Sequence, residues 1–395
     1  MNEEHLTVLR MVSEKKITAE EGERLLEALG SEAQGIPPPR PLRVEQKERT
    51  RGHRAERMAA LIGVLKDEDR DIRRRAASAL AEIRDPAAVP ALIDVLDDQD
   101  EDVRRRAISA LAEIRDPAAV PALTKALRDK NRDVRRRAVS ALAEIRDPAA
   151  VPALVDALND EDRDIRRRAV SALAEIRDPA AMPALARALK DGDEDVRRRA
   201  ISALGEIRDP AAVPALTEAL TARDRDVRRR AISALAEIRD PAAVPALTRA
   251  LKDEDRDIRK RAVSALGEIR DSAAVPALIE ALNDQNEDVR RSAISALGEI
   301  REPAAVPALT RALQNRDRDV RRRAVSALSE IRDPAAVPVL IKALSDQDRD
   351  VRRKAISALG EIRDPAALPA LTRALKDADE DVRRRAVSAL GEIRG

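Results

Sequence analysis

The chain has 395 residues, with 75 Lys and Arg against 73 Asp and Glu, a formal net charge of +2, two His, and no Cys, Trp, Tyr or Phe. Without cysteine there is no disulfide framework, no thiol nucleophile and no Cys-type zinc site. The lone histidines His5 and His53 cannot build a multi-His metal centre, and without aromatics there is no platform for stacking bases.

In chain order, Leu6, Leu9 and Val12 predict a first short helix. Thr18 then caps a second, AEEGERLLEAL, with Glu21 in the capping-box position and Gly30 as its stop. Residues 31–54 carry Gly35, Pro37, Pro38, Pro39 and Pro41 among charges and read as a Pro-rich, semi-rigid or disordered linker. The N-terminus has acidic residues and no long apolar run, so it does not read as a signal peptide. No stretch approaches the roughly 20 apolar residues of a membrane helix. A cytoplasmic location is expected.

From residue 55 to 395 one 31-residue unit recurs eleven times without insertion. Its leading Val or Ile falls at Ile72, Val103, Val134, Ile165, Val196, Val227, Ile258, Val289, Val320, Val351 and Val382. Equal spacing means that each unit stacks on the next in the same way, which predicts one elongated solenoid, on the order of 100 Å long at ordinary helix spacing. Each unit reads as two helices. In 86–116, Asp85 caps the first helix, Pro86 suits its opening, and Pro90 places the regular turns close to itself. Asp97–Gln99 form the loop, and Asp100 caps a second helix from Glu101 to Ile114. That cap is Asp or Asn in every unit. At about 100° per residue, Val103, Ala107, Ala110, Leu111 and Ile114 share the buried face, with Arg105, Ser109, Ala112 and Glu113 opposite and Arg106 at the edge.

The string DPAAVPALTRALKDEDRDIRKRAVSALGEIRD, residues 240–271, resembles the short HEAT-like repeat of phycobilisome-lyase-type proteins and of artificial helical-repeat proteins. The aromatics of tetratricopeptide repeats and the T-P-L-H turn of ankyrin repeats are absent. The resemblance covers residues 55–395 and implies an all-α, right-handed α-solenoid of eleven two-helix repeats. It further implies that the second helices line a concave surface carrying Arg105, Arg106, Ser109 and Glu113, and that Arg104 supports the packing between repeats. Residues 1–30, through KITAEEGERLLEALG, are similar to SHOCT-like bacterial helical hairpins, a resemblance that implies oligomerisation or tethering of a partner.

The candidate partner-binding residues are two basic rows and the Glu row beside them. The rows comprise Arg74 and Arg75, Arg105 and Arg106, Arg136 and Arg137, Arg167 and Arg168, Arg198 and Arg199, Arg229 and Arg230, and Lys260 and Arg261. They continue through Arg322 and Arg323, Arg353, and Arg384 and Arg385; the Glu row includes Glu113, Glu144 and Glu175. Ser292 interrupts the rows. Two readings stand: a striped groove for an acidic or periodic protein partner, or a solvated face held by local ion pairs such as Asp102 with Arg106 at i,i+4. These positions barely vary between repeats, while the first-helix position Asp94, Lys125, Asp156, Arg187, Glu218 varies freely, which favours the groove.

Nucleic acid is a weaker fit, because near-neutral charge and the Glu row reduce the phosphate-binding field; any such binding would be backbone-directed and salt-sensitive. No catalytic constellation, metal site or cofactor is read: the D-x-D pairs such as Asp69 and Asp71 are helix caps, and a role as accessory subunit of a bilin-lyase-like enzyme rests on fold analogy. The last unit ends at Ile393 and Arg394 without a dedicated polar cap. Homo-oligomerisation through that repeat, or through residues 1–30, is a further expectation.

Overall fold

The same local events build every repeat. In the one that begins at Asp116, that carboxylate accepts the Ala118 N–H, and Pro117 opens a 3-10 turn, Pro117–Ala119. The turn runs into the helix Val120–Ala126, with Pro121 in its first turn, where no intrahelical acceptor is lost. After a short turn, the Asn131 side chain accepts the N–H groups of Asp133 and Val134 and starts the helix Arg132–Ile145. Asn131→Ala removes that acceptor and is expected to cost about 1 kcal/mol in urea unfolding followed by circular dichroism, while Asn131→Asp stays within a few tenths. Equal losses in both variants would mean that the cap does not carry the effect.

The computed structural model describes residues 54–393 together with Met11 and Glu21. The predicted N-terminal hairpin and nearly all of the 31–54 linker lie outside the described residues, as do His5 and His53. By contacts the chain divides into two units, Met1–Ile83 and Arg84–Gly395. In the first, a helix over 54–63 and a 3-10 turn, Val64–Lys66, precede the helix Arg70–Ile83. Arg54 donates to the Ile83 carbonyl at 2.9 Å, and Leu65, Ala76 and Leu80 are buried.

The second unit is an α-solenoid of ten helix pairs, from Val89–Asp94 with Glu101–Ile114 to Leu368–Ala374 with Glu380–Glu392. The core between the two helices of a pair is aliphatic: Leu123, Ala138 and Leu142 are fully buried. The expected stripe Val103, Ala107, Ala110 and Leu111 is likewise buried, and Ile114 is half-buried. Ser109 and Ala112, expected on the opposite, open face, are buried too, as is Ile108. The reason is lateral: the main contact between repeats runs from second helix to second helix, so each has a neighbour on both flanks. Small residues form that contact. A Cβ added to Gly267 would lie 2.9 Å from the Cβ of Ala296, so glycine marks a place where the helices approach most closely. A first helix meets the following repeat chiefly at its 3-10 turn.

Each second helix from Glu101–Ile114 to Arg349–Ile362 ends on an arginine in the left-handed conformation, from Arg115 (φ 60°) to Arg363 (φ 58°). Glycine is the usual residue there, and arginine adopts that backbone at a cost of about 1 kcal/mol. The side chain has a use in exchange: Arg146 reaches Glu175 of the next repeat at 3.6 Å.

Candidate partner-binding face

The three consecutive positions that begin with Arg104, basic in all repeats but for Ser292, point to three different sets of partners. The first closes the joint between repeats. Arg104 donates through Nη1 to the carbonyls of Asp98 and Gln99 in its own loop, at 2.8 and 3.1 Å. Through Nε and Nη2 it grips both carboxylate oxygens of Asp129 in the next repeat, at 2.7 and 3.1 Å. Asp129 also accepts the Asn131 N–H at 2.7 Å, so one side chain fixes a loop and a joint together. Arg135 with Asp160, Arg166 with Asp191, Arg259 with Asp284, Arg321 with Asp346 and Arg352 with Asp377 repeat the two-point grip, and Arg228 pairs with Asp253 in the same place. The structural role that the resemblance implied for Arg104 is therefore seen as geometry.

The second arginine pairs with an aspartate one turn back: Arg136 with Asp133 at 3.0 Å, Arg229 with Asp226 at 3.2 Å, and Arg353 with Asp350 at 3.2 Å. Asp102 pairs in this way with Arg105, at i,i+3, rather than with Arg106 as the spacing suggested. The third basic residue reaches back one repeat to a serine hydroxyl: Arg137 to Ser109 and Arg199 to Ser171, both at 2.8 Å, and Arg385 to Ser357 and Lys354 to Ser326, both at 2.7 Å. Ser109 itself donates to the Arg105 carbonyl at 3.0 Å, so this serine is engaged on both sides.

Arg74 and Arg75 lie on the helix Arg70–Ile83 of the first unit and are exposed. The remaining basic candidates lie on the second helices of the solenoid and are half-buried or exposed. Between successive second helices the surface sinks into depressions lined by the predicted residue types. One of about 780 Å³ brings together Arg229, Ser233, Glu237, Lys260, Arg261 and Glu268. Another, of about 440 Å³, joins Glu144, Arg167, Arg168, Ser171, Glu175 and Arg199. A third, of about 380 Å³, includes Arg291, a further member of the rows, and Ser292 where they are interrupted. Most of the candidates, Arg74, Arg75, Arg105, Arg106, Arg136, Arg137, Arg198, Arg230, Arg322, Arg353, Arg384, Arg385 and Glu113, fall in none of these three depressions.

Burial, the neighbouring Glu330 and Glu268 push the Glu299 carboxyl up, with Arg270 opposing. Arg270 is one of the left-handed arginines, a fourth basic row that sequence reasoning missed. Its signal was available: an Arg follows the last helical Ile of every repeat. Among the described residues, no group of three or more His, Cys, Asp and Glu is placed to hold a metal ion, and no helix is long and apolar enough to cross a membrane.

The chain belongs to the HEAT-repeat family: the family's model matches residues 50–107, 89–170, 151–226, 213–296, 275–346 and 337–395. A SHOCT-like domain model matches residues 6–34. No curated protein matches the sequence. Among solved structures, Kap95p with RanGDP is similar at TM-score 0.51 and 16% identity, over 98% of this chain and 60% of that one. A Kap121p mutant is similar at TM-score 0.56 and 14% identity, over 99% of this chain and 49% of that one. An engineered protein aligns at TM-score 0.44 and 25% identity, over 86% of this chain and 99% of that one. The identities with Kap95p and Kap121p are low, and those likenesses show the solenoid fold alone.

Proposed function

We propose that the solenoid is a non-enzymatic scaffold that takes up an acidic or repetitive protein partner along the face of its second helices. The observation that carries this reading is the recurrence of depressions in which arginine, serine and glutamate from adjacent repeats converge. A guanidinium left partly accessible there can give charge-assisted hydrogen bonds to a carboxylate, and the Glu row sets polarity against wrong partners. Closer packing of the second helices than of the first supports placing this face on the concave side. The HEAT-repeat solenoid is a fold typical of protein-interaction scaffolds, and Kap95p was solved with a bound protein, RanGDP. Residues 1–30, matched in most of their length by the SHOCT-like model, would tether or oligomerise the array.

The test is retention of the full chain on immobilised polyglutamate and on heparin at low salt. Polyglutamate is expected to retain the protein, with retention falling as salt rises. The Lys260→Glu/Arg261→Glu double variant should lose at least tenfold in affinity. Flow-through from polyglutamate at low salt sinks the reading. Equal or stronger retention on heparin, abolished by the same double variant, transfers the face to phosphate- or sulfate-bearing polymers.

A further inference from the structure

Two joints of the solenoid lack the clamping acid, and at one of them, that of Arg197, the replacement has no side-chain acceptor at all. At seven joints the first arginine of a repeat meets an aspartate 25 residues on: Asp129, Asp160, Asp191, Asp253, Asp284, Asp346 and Asp377. For Arg197 that position is Ala222. Arg197 keeps the half of the clamp that lies in its own repeat, with Nη1 donating to the carbonyls of Asp191 at 2.6 Å and Gly192 at 3.0 Å. Nε and Nη2, the edge that grips the carboxylate at the intact joints, have no acidic partner among the described residues. The next position reinforces the change. Glu161 adds a second acid to the Arg135 clamp at 3.1 Å, whereas the corresponding residue here is Arg223.

The missing carboxylate leaves room. A depression of about 430 Å³ lies at this joint, lined by Arg197, Ala222 and Arg223, with Leu189, Ala215 and Ala219 as its accessible apolar wall. The other titratable groups on its lining are committed. Lys190 pairs with Glu218 at 3.0 Å, and Asp224 accepts the N–H groups of Asp226 and Val227 as a helix cap. The other altered joint differs: Arg290 is followed 25 residues on by Asn315, whose Oδ1 accepts the Asp317 N–H at 2.9 Å.

We propose that this depression binds a small aliphatic monocarboxylate. Its two oxygens take the Nε–Nη2 edge of Arg197 as Asp129 takes that of Arg104, and its tail lies against Leu189, Ala215 and Ala219. A planar two-oxygen group matches the guanidinium fork, and the apolar walls favour an alkyl tail over a fully hydrated anion. The site lies on the loop side of the joint, uses none of the second-helix depressions, and stands apart from the scaffold reading.

Equilibrium dialysis of the full chain with labelled isobutyrate tests it, with inorganic phosphate as competitor at matched ionic strength. One saturable site per chain is expected, displaced by propionate and not by phosphate. Ala222→Asp supplies the clamp internally and Arg197→Gln removes it. Each should weaken binding at least tenfold, and Ala222→Asp should also raise the melting temperature of the free protein. Circular dichroism establishes that each variant is folded, and either one suffices for the comparison. Absence of saturable binding by the parent chain overturns the proposal, as does unchanged affinity in a folded variant. Displacement by phosphate as readily as by propionate overturns the carboxylate assignment.

Discussion

Replacing Asp346 by alanine is expected to cost about 3 kcal/mol and to broaden the unfolding transition. Arg321 is only 5% exposed. It gives Asp346 two hydrogen bonds, at 2.8 and 2.9 Å, and Asp346 also accepts the Asp348 N–H at 2.8 Å. Without the carboxylate, the buried guanidinium keeps only its Nη1 bonds to the Asn315 and Arg316 carbonyls. Breaking a buried pair by removing one partner leaves an uncompensated charge, and that term dominates over the attraction lost. Because repeats couple only to their neighbours, the loss concentrates at one joint and the two parts of the solenoid unfold less cooperatively. Urea unfolding followed by circular dichroism reads the cost, and hydrogen exchange over 318–362 reads its location. The double variant Arg321→Met/Asp346→Leu should recover part of the loss, since it leaves no uncompensated charge but forfeits the bonds to the Asn315 and Arg316 carbonyls and to the Asp348 N–H. A cost below about 0.5 kcal/mol for the single variant would show that the clamp contributes no more than an exposed ion pair.

Acid is the second large lever. The hydrogen bond from Arg352 holds the Asp377 carboxyl below its ordinary range, against the opposing effect of burial. For Asp284 and Asp346 burial pushes upward, and the hydrogen bonds from Arg259 and Arg321, with backbone N–H groups, more than offset it. The Asp319 N–H and Arg291 draw Asp317 down to about 2. A carboxyl lowered on folding contributes stability that is complete above its unfolded value of about 3.9 and is lost as pH falls through the folded value. The arginine partners stay charged throughout. Glu299 works the other way: its raised carboxyl favours the fold at lower pH, but it stands against several lowered aspartates. Melting temperature should therefore be flat above about pH 5 and fall steeply between about pH 4 and 2. Thermal scans at constant ionic strength measure this, and Asp377→Asn should lower the plateau and shallow the slope. An unchanged melting temperature at about pH 2.5 would exclude the clamps as the source of acid sensitivity.

Much of the architecture could be read from residues that act on their near neighbours. The 31-residue period, the Asp or Asn caps, Pro86 and Pro90 at the opening of the first helix, and the bounds Glu101–Ile114 of the second all appear where local chemistry put them. A cap bonds two or three residues away, so its partner is written beside it. The face assignments of Ser109 and Ala112 went wrong because a helical wheel knows only one helix, and each of these helices has two flanking neighbours.

Sequence by itself thus determined the repeat, its helices and the identity of the basic and acidic rows. Tertiary structure alone decided which partner each arginine takes: Arg104 reaches Asp129 25 residues ahead, and Arg137 reaches Ser109 28 residues behind. In one dimension three adjacent arginines carry no mark of a partner 25 or 28 residues away. Stacking separates them, because successive side chains on a helix point about 100° apart and each meets a different part of the neighbouring repeat.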